Sequence, residues 1–266
     1  MKAAGMSAVL PSETRVINVF GKSDPDYCRH RGEVRLHISW EEEENILLPF
    51  PDMQALPGDE LTLRLREEND EIWLWRPGFS LHLNLATGEG ESRLSVERDW
   101  QNVLRVVYFH AFLRKSILLL HASGVIKKGR AVVFPGPSGA GKTTIVRHSP
   151  GVTVLSDEMV GVQMNDRGEA RAHGTPLYGD WGQPGAEEVA PIKAFYFPSH
   201  SRENRITPLT QHEVLNRLLP CVCTYTVKEA QLKKIIDLSV RLAESVPGFD
   251  LHFRPDPEFW DVIDGA

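Results

Sequence analysis

Cysteine is scarce. The chain has three in 266 residues, Cys28, Cys221 and Cys223. An odd, sparse count argues against a disulfide framework and for a reducing compartment. Cys221-Val222-Cys223 lacks a second ligand pair and reads as two half-buried thiols; Cys28-Arg29-His30 likewise reads as no metal site. Long apolar runs are also missing, since no stretch reaches the ~18 residues of a membrane span. The opening MKAAGMSAVLPSE carries one lysine and a short apolar patch, not the pattern of a secretory signal, and Met6 offers a second start. A cytoplasmic protein is expected. Positive charge is in deficit: 30 Lys and Arg against 36 Asp and Glu give a net charge of −6. No basic footprint invites nucleic acid or an anionic membrane. No internal repeat and no long low-complexity linker interrupts the chain.

What is present is the composition of a globular protein, 41% hydrophobic and 25% charged. Residues 14 to about 98 read as strands. Val34–Ile38, Leu61–Leu65 and Leu81–Leu85 alternate apolar and polar, and Ile72–Trp75 does so less cleanly. Pro-Gly at 57–58 and 77–78, and Gly88-Glu89-Gly90, punctuate them. The alternation predicts an antiparallel sheet with one wet face. Glu41 to Glu44 reads as a solvated loop.

Asp99 is placed to cap a helix from Trp100 to about Lys115, with Val103, Val106, Val107, His110 and Leu113 on one stripe. A buried strand over 117–126 follows, then a turn at Lys127-Lys128-Gly129 and a returning strand over 130–134. A two-turn helix from Lys142 to about His148 leads into a strand over 152–164, closed by a turn at Asn165-Asp166-Arg167-Gly168. Ile192–Phe197 makes another strand. Two closing helices each open with a Thr-x-x-Glu capping box, Thr210/Glu213 and Thr226/Glu229. The expected division is a β-rich region over 1–98 and a larger domain over 99–266.

The chemistry concentrates in Gly136-Pro137-Ser138-Gly139-Ala140-Gly141-Lys142-Thr143-Thr144, which fits G-x-x-x-x-G-K-[ST] at every defined position. Small residues let successive backbone N–H groups turn inward around a phosphate. The helix that begins at Lys142 adds its positive end. Lys142 can reach the β and γ phosphates, and the Thr143 hydroxyl can bind a Mg²⁺ spanning them. An apolar strand before and a helix after supply the right context, so ATP or GTP with Mg²⁺ is the expected ligand.

Asp157-Glu158 lies only 15 residues after Lys142, a gap that a two-turn helix and a tight turn fill. The acids should therefore return beside the loop, one holding the metal and the other accepting a proton. His121 stands 15 residues before Gly136, on the strand expected to pair with the one feeding the loop. There it could orient an acid or carry charge. Further on, 171-RAHGTPLYGDWGQPG-185 reads as a loop, either a substrate rim or a packed surface segment, with Tyr178, Trp181 and His173 of interest. Arg202 and Arg205 are candidate phosphate contacts, though ordinary solvated arginines are the simpler reading.

Together 120-LHASGV-125, 136-GPSGAGKTT-144 and 155-LSDE-158 resemble the HPr kinase/phosphorylase family over about residues 116 to 200. The resemblance implies an α/β fold, a phosphate-loop mixed sheet with flanking helices related to phosphoenolpyruvate carboxykinase. It implies transfer of the γ-phosphoryl of ATP, with Mg²⁺, to a hydroxyl, usually a protein serine. His121 matches the family's active-site histidine, Lys142 and Thr143 its nucleotide and metal residues, and Asp157 and Glu158 its catalytic acidic pair; Asp157 is the expected metal-side acid, with the longer Glu158 as the alternative. Family members often form oligomers. The chain departs in carrying Asp-Glu where the family has Asp-Asp. It looks more like shorter relatives whose acceptors vary and include peptides from biosynthetic clusters. A nucleotide-binding regulator or scaffold and a kinase of small hydroxy compounds are the competing readings.

Overall fold

Two mixed sheets and a few helices make up the protein, seen in a computed structural model that describes residues 12–18, 33–56, 63–165 and 168–265. Pro57-Gly58, Leu61-Thr62, Asp166-Arg167, Met6 and the Cys28-Arg29-His30 group lie outside the described residues.

The first sheet comprises β1 (Glu13–Asn18), β2 (Glu33–Trp40), β3 (Gln54–Ala55), β4 (Arg64–Glu68), β5 (Glu71–Arg76), β6 (Phe79–Asn84) and β7 (Glu89–Leu94). Among the described residues its order is β1-β2-β7-β6-β5-β4-β3. Alternation sets its faces: Ile72 and Leu74 of β5, and Phe79, Leu81 and Leu83 of β6, are buried while their neighbours are less so. One expectation fails here. The sheet is not wholly antiparallel, because β2 runs parallel to β7, with Leu36 opposite Gly90. Alternation reports which side chains face inward and is blind to strand direction.

Helix α1 (Trp100–Arg114) buries Val103, Val106, Val107, His110 and Leu113, the expected stripe, but also Leu104, Tyr108, Phe109 and Phe112. It is therefore covered nearly all round. The Asp99 carboxylate pairs with Arg76 and accepts from the Asn102 side-chain amide.

The second sheet is built around two long strands, β8 (Ile117–Lys127) and β13 (Val189–His200). β8 turns tightly into β9 (Arg130–Pro135) through Lys128 and Gly129, both left-handed. A tight turn of this kind twists with the strands, so β8 and β9 pair without a break from Ala122–Pro135 to Lys127–Arg130. β9 lies between β8 and β13 and feeds the loop ahead of α2 (Lys142–Arg147). The expected strand over 152–164 is two strands, β10 (Thr153–Ser156) and β11 (Met159–Met164). Both pair antiparallel with β8, β10 along its second half and β11 along its first. The interruption falls at Asp157-Glu158.

β12 (Ala170–His173) joins β11 to β13. β13 runs past the expected Phe197 end to His200 and pairs in parallel with β15 (Gly248–Phe253), which β14 (Arg205–Pro208) flanks. Helices α3 (Gln211–Leu218), α4 (Glu229–Ser245) and α5 (Phe259–Asp264) complete this part. Thr210 and Glu213 form the reciprocal capping box at α3. Thr226 does not cap with Glu229: its hydroxyl donates to Glu67 at 2.6 Å, and α4 starts at Glu229 itself.

The chain divides into two compact units. In the described residues the first runs to His110 and takes back Tyr225–Lys228; the second holds Ala111–Thr224 and the residues from Glu229 onward. A core of Val125, Val132, Phe134, Ile145, Tyr196, Leu251, Phe253 and Trp260 sits under the loop in the second unit.

Candidate functional site

The site starts where β9 ends and a glycine-rich loop begins. After Pro135 the chain turns through Gly136–Gly141, with Gly139 and Gly141 both at positive φ, and enters α2 at Lys142. Positive φ suits residues without a Cβ. At Gly141 the space is closed too: a Cβ would stand 2.5 Å from Cζ of Phe253 and 3.0 Å from Cε1 of His200. The Gly136 amide donates to the His121 carbonyl, and Ala140 to the Pro137 carbonyl.

Lys142 is buried, and its ammonium donates to the Gly136 and Pro137 carbonyls at 2.9 Å each. These bonds aim the amine along the loop and leave one of its three protons for another acceptor. Burial pushes its pKa below the usual lysine range, while Glu158, Cys221 and Asp157 pull it back up. The carboxylates of Asp157 and Glu158 thus oppose the effect of burial.

Asp157 is fully buried and accepts three hydrogen bonds: from Thr143 Oγ1 at 2.9 Å, the Gly179 amide at 2.7 Å and the Trp181 amide at 2.9 Å. Because the Thr143 proton points to Asp157, the hydroxyl's lone pairs are free to face the loop. Glu158 differs. Its carboxylate stands 3.7 Å from His121 Nε2, and both side chains are about one-fifth to one-quarter exposed. The β8–β11 pairing explains the meeting. Met159 lies opposite His121, and the Ala122 amide donates to the Glu158 carbonyl.

Ser138, Gly139, Gly141, Lys142, Thr143, Thr144 and Glu158 line one cleft of about 380 Å³ with Gly179, Asp180 and His200. Asp157 lies beneath its floor, and Gly136, Pro137 and Ala140 shape the loop without lining the cleft. His121 backs Glu158. The structure therefore gathers His121, the loop from Gly136 to Thr144, Asp157 and Glu158 in one place, though not all at its surface. A hollow of about 350 Å³ in the first unit is lined by Trp73, His82, Glu91 and Arg93 among others; there His82 is already held by Glu71 and stacked on Trp73.

The donor set around Thr143 suits Mg²⁺. Among the described residues no three His, Cys, Asp or Glu side chains form a metal cage. One hydroxyl backed by one carboxylate is what a Mg²⁺ held largely by waters and nucleotide oxygens requires.

Of the other candidates, Gly179 and Trp181 do approach the acids, but through backbone amides. Gly179 is so near that a Cβ would lie 3.1 Å from Glu158 Oε2. Trp181 packs on the core, Tyr178 is exposed, and His173 is buried against Phe112. Arg202 and Arg205 are exposed and do not line the cleft. Cys221 is buried, with its thiol pushed up to about 11 by burial against the pull of Lys142, and Cys223 meets the sulfur of Met159. Both act as packing groups. Gly179, Phe253 and His200 were not singled out from sequence. Their only signal is position: a loop after the acids and the ends of two strands.

No curated protein matches the chain. A family model described as "ScmC: SynChlorMet cassette protein ScmC" matches residues 91–266, which take in the loop, the acid pair, His121 and His200. Since that match spans more than half of the sequence, the chain belongs to the SynChlorMet cassette protein ScmC family.

Proposed function

We propose that the protein is an ATP- and Mg²⁺-dependent phosphotransferase of HPr-kinase-like type. It moves the γ-phosphoryl group to a hydroxyl, first of all a serine in a protein or peptide. The phosphate-loop part, 99–266, takes a fold of the HPr kinase and phosphoenolpyruvate carboxykinase kind in this reading. The observation that carries it is the pairing of unlike acids: Asp157 is tied to Thr143 under the loop, while the next residue, Glu158, faces the cleft beside Lys142.

The division of labour follows from hydrogen-bond supply. An acid accepting three bonds is held in one fixed orientation, which suits the metal side. Mg²⁺, when bound, neutralises charge on the phosphate oxygens, with Thr143 and Asp157 as its protein partners. Glu158 has the reach to take the acceptor's proton as its oxygen bonds to the γ-phosphorus and the bond to the β-phosphate oxygen breaks, releasing ADP. His121, 3.7 Å away, positions Glu158, and when protonated adds a charge beside it. Lys142 and the loop amides stabilise charge on the transferring group. ATP use and the lack of any membrane-crossing helix among the described residues fit work in the cytoplasm. The family description is that of a cassette protein, so products of neighbouring genes are the first acceptors to try.

Labelled ATP offered with peptide, protein and small hydroxyl acceptors tests the proposal. Wild type should pass label to a macromolecule. Lys142→Ala should abolish transfer, and Asp157→Asn and Glu158→Gln should lower it by at least about a hundredfold while ATP still binds. Normal transfer in both carboxylate variants would sink the assignment. Label on a small product would make it a small-molecule kinase, and binding without transfer across a broad panel would make it a regulator.

A further inference from the structure

The cleft has two ends, and only one is explained by the acids. β9 has β8 on one side and β13 on the other. His121, Asp157 and Glu158 all come from the β8 side, through β8 itself and the junction of the two strands paired to it. On the far side β13 ends in His200 and β15 in Phe253. The two residues are direct partners in the parallel register, so their side chains leave the same face, and their ring centroids lie 5.1 Å apart.

Phe253 is fully buried, whereas His200 is exposed to the cleft. Both press on Gly141, where a Cβ would come within 3.0 Å of either ring. His200 supplies the one ring among the residues that line the cleft. The other linings are the loop, Lys142, two threonines, Glu158 and the Gly179-Asp180 pair.

A nucleoside triphosphate is a long ligand with unlike ends. Its γ-phosphate must meet Lys142 and Glu158 if transfer occurs there. The remaining phosphates then follow the loop amides, and the base leaves on the side away from the acids. We infer that His200, backed by Phe253, is the platform on which the donor's base stacks, so that the β13–β15 side is the nucleoside subsite. An aromatic face backed by a second, immobile ring loses little freedom on stacking, and stacking of this kind tolerates different bases. The inference rests on the nucleotide reading of the loop and adds to it where the base goes.

The test is calorimetric titration of the full-length protein with Mg·ATP and, separately, with Mg·tripolyphosphate, which has the phosphates but no base. His200→Ala should weaken ATP binding about tenfold and leave tripolyphosphate binding within twofold of wild type. His200→Phe should keep ATP affinity near wild type, because a ring is retained. In transfer assays the alanine variant should raise KM for ATP with kcat little changed. Equal weakening of both ligands would make His200 a phosphate contact and overturn the inference. So would unchanged ATP affinity in His200→Ala, or a loss in His200→Phe as large as in the alanine variant. Failure of the nucleotide reading looks different: wild type itself would bind neither ligand, and the inference would fall with it.

Discussion

At the scale of single residues, Gly139 and Gly141 separate two meanings of a motif glycine. Both have positive φ, +81° and +99°, but nothing lies within 4 Å of a Cβ built on Gly139, whereas one on Gly141 meets the Phe253 ring at 2.5 Å. Phe253 belongs to the core and has nowhere to go. Gly139→Ala should therefore cost only backbone strain, about 1–2 kcal/mol. Gly141→Ala adds the collision and should cost about 3 kcal/mol or more, with nucleotide binding lost. Thermal melts and ATP titrations of both variants check this. Equal destabilisation would mean that the ring packing contributes nothing. The same scale resolves the acid pair. Asp157 and Glu158 are equivalent on paper. Three donors from Thr143, Gly179 and Trp181 make them different, and two of those donors are backbone amides of a loop more than twenty residues away.

Elements show where sequence reading reached and where it stopped. The hairpin before the loop and the helix after it were legible because each carries local instructions: a Lys-Gly turn, a glycine-rich loop, and Pro150 beyond the helix. The split of 152–164 was not legible, because strand-forming residues flank the acids on both sides, Thr153–Ser156 before them and Met159–Met164 after. Only pairing to the two halves of β8 shows that Asp157-Glu158 interrupts it. His200 was missed for a like reason. β13 continues through Pro198 beyond its apolar residues, and the parallel partner that carries it on, β15, lies some fifty residues further along the chain. In helix α1, the apolar stripe was legible but the state of His110 on it was not. That imidazole is pushed down to about 3 by burial, with Lys228 adding to the shift and a backbone hydrogen bond at Tyr225 opposing it. The folded state thus holds His110 neutral, while the unfolded chain takes up its proton below pH 6.5. Stability from this group is complete above pH 6.5 and falls as pH drops toward 3, by about 1.4 kcal/mol per pH unit. His110→Gln should flatten the pH dependence of urea unfolding between pH 6.5 and 4 relative to wild type. An unchanged slope would show that His110 is protonated in the fold.

On the scale of the whole molecule, three boundaries disagree in an instructive way. The family match begins at residue 91, inside β7. Composition shifts from strand to helix near residue 98. The compact units part at His110, within α1. The helix explains the difference. Val103, Leu104, Val106, Val107, Tyr108 and Phe109 are all buried, and all belong with the first unit. A chain cut to 99–266 would keep these side chains and lose the sheet that belongs with them. Each buried apolar side chain is worth about 1.5–3 kcal/mol against exposure, so leaving six without their unit is a large penalty for a protein of ordinary stability. The fragment 99–266 should therefore bind a hydrophobic dye strongly, elute as aggregates in size exclusion and melt without a sharp transition, while the full-length protein does none of these. A monodisperse fragment that melts like the full-length protein would show that α1 finds its cover within the second unit. The first unit would then be an appendage that the fold of the phosphate-loop part does not need.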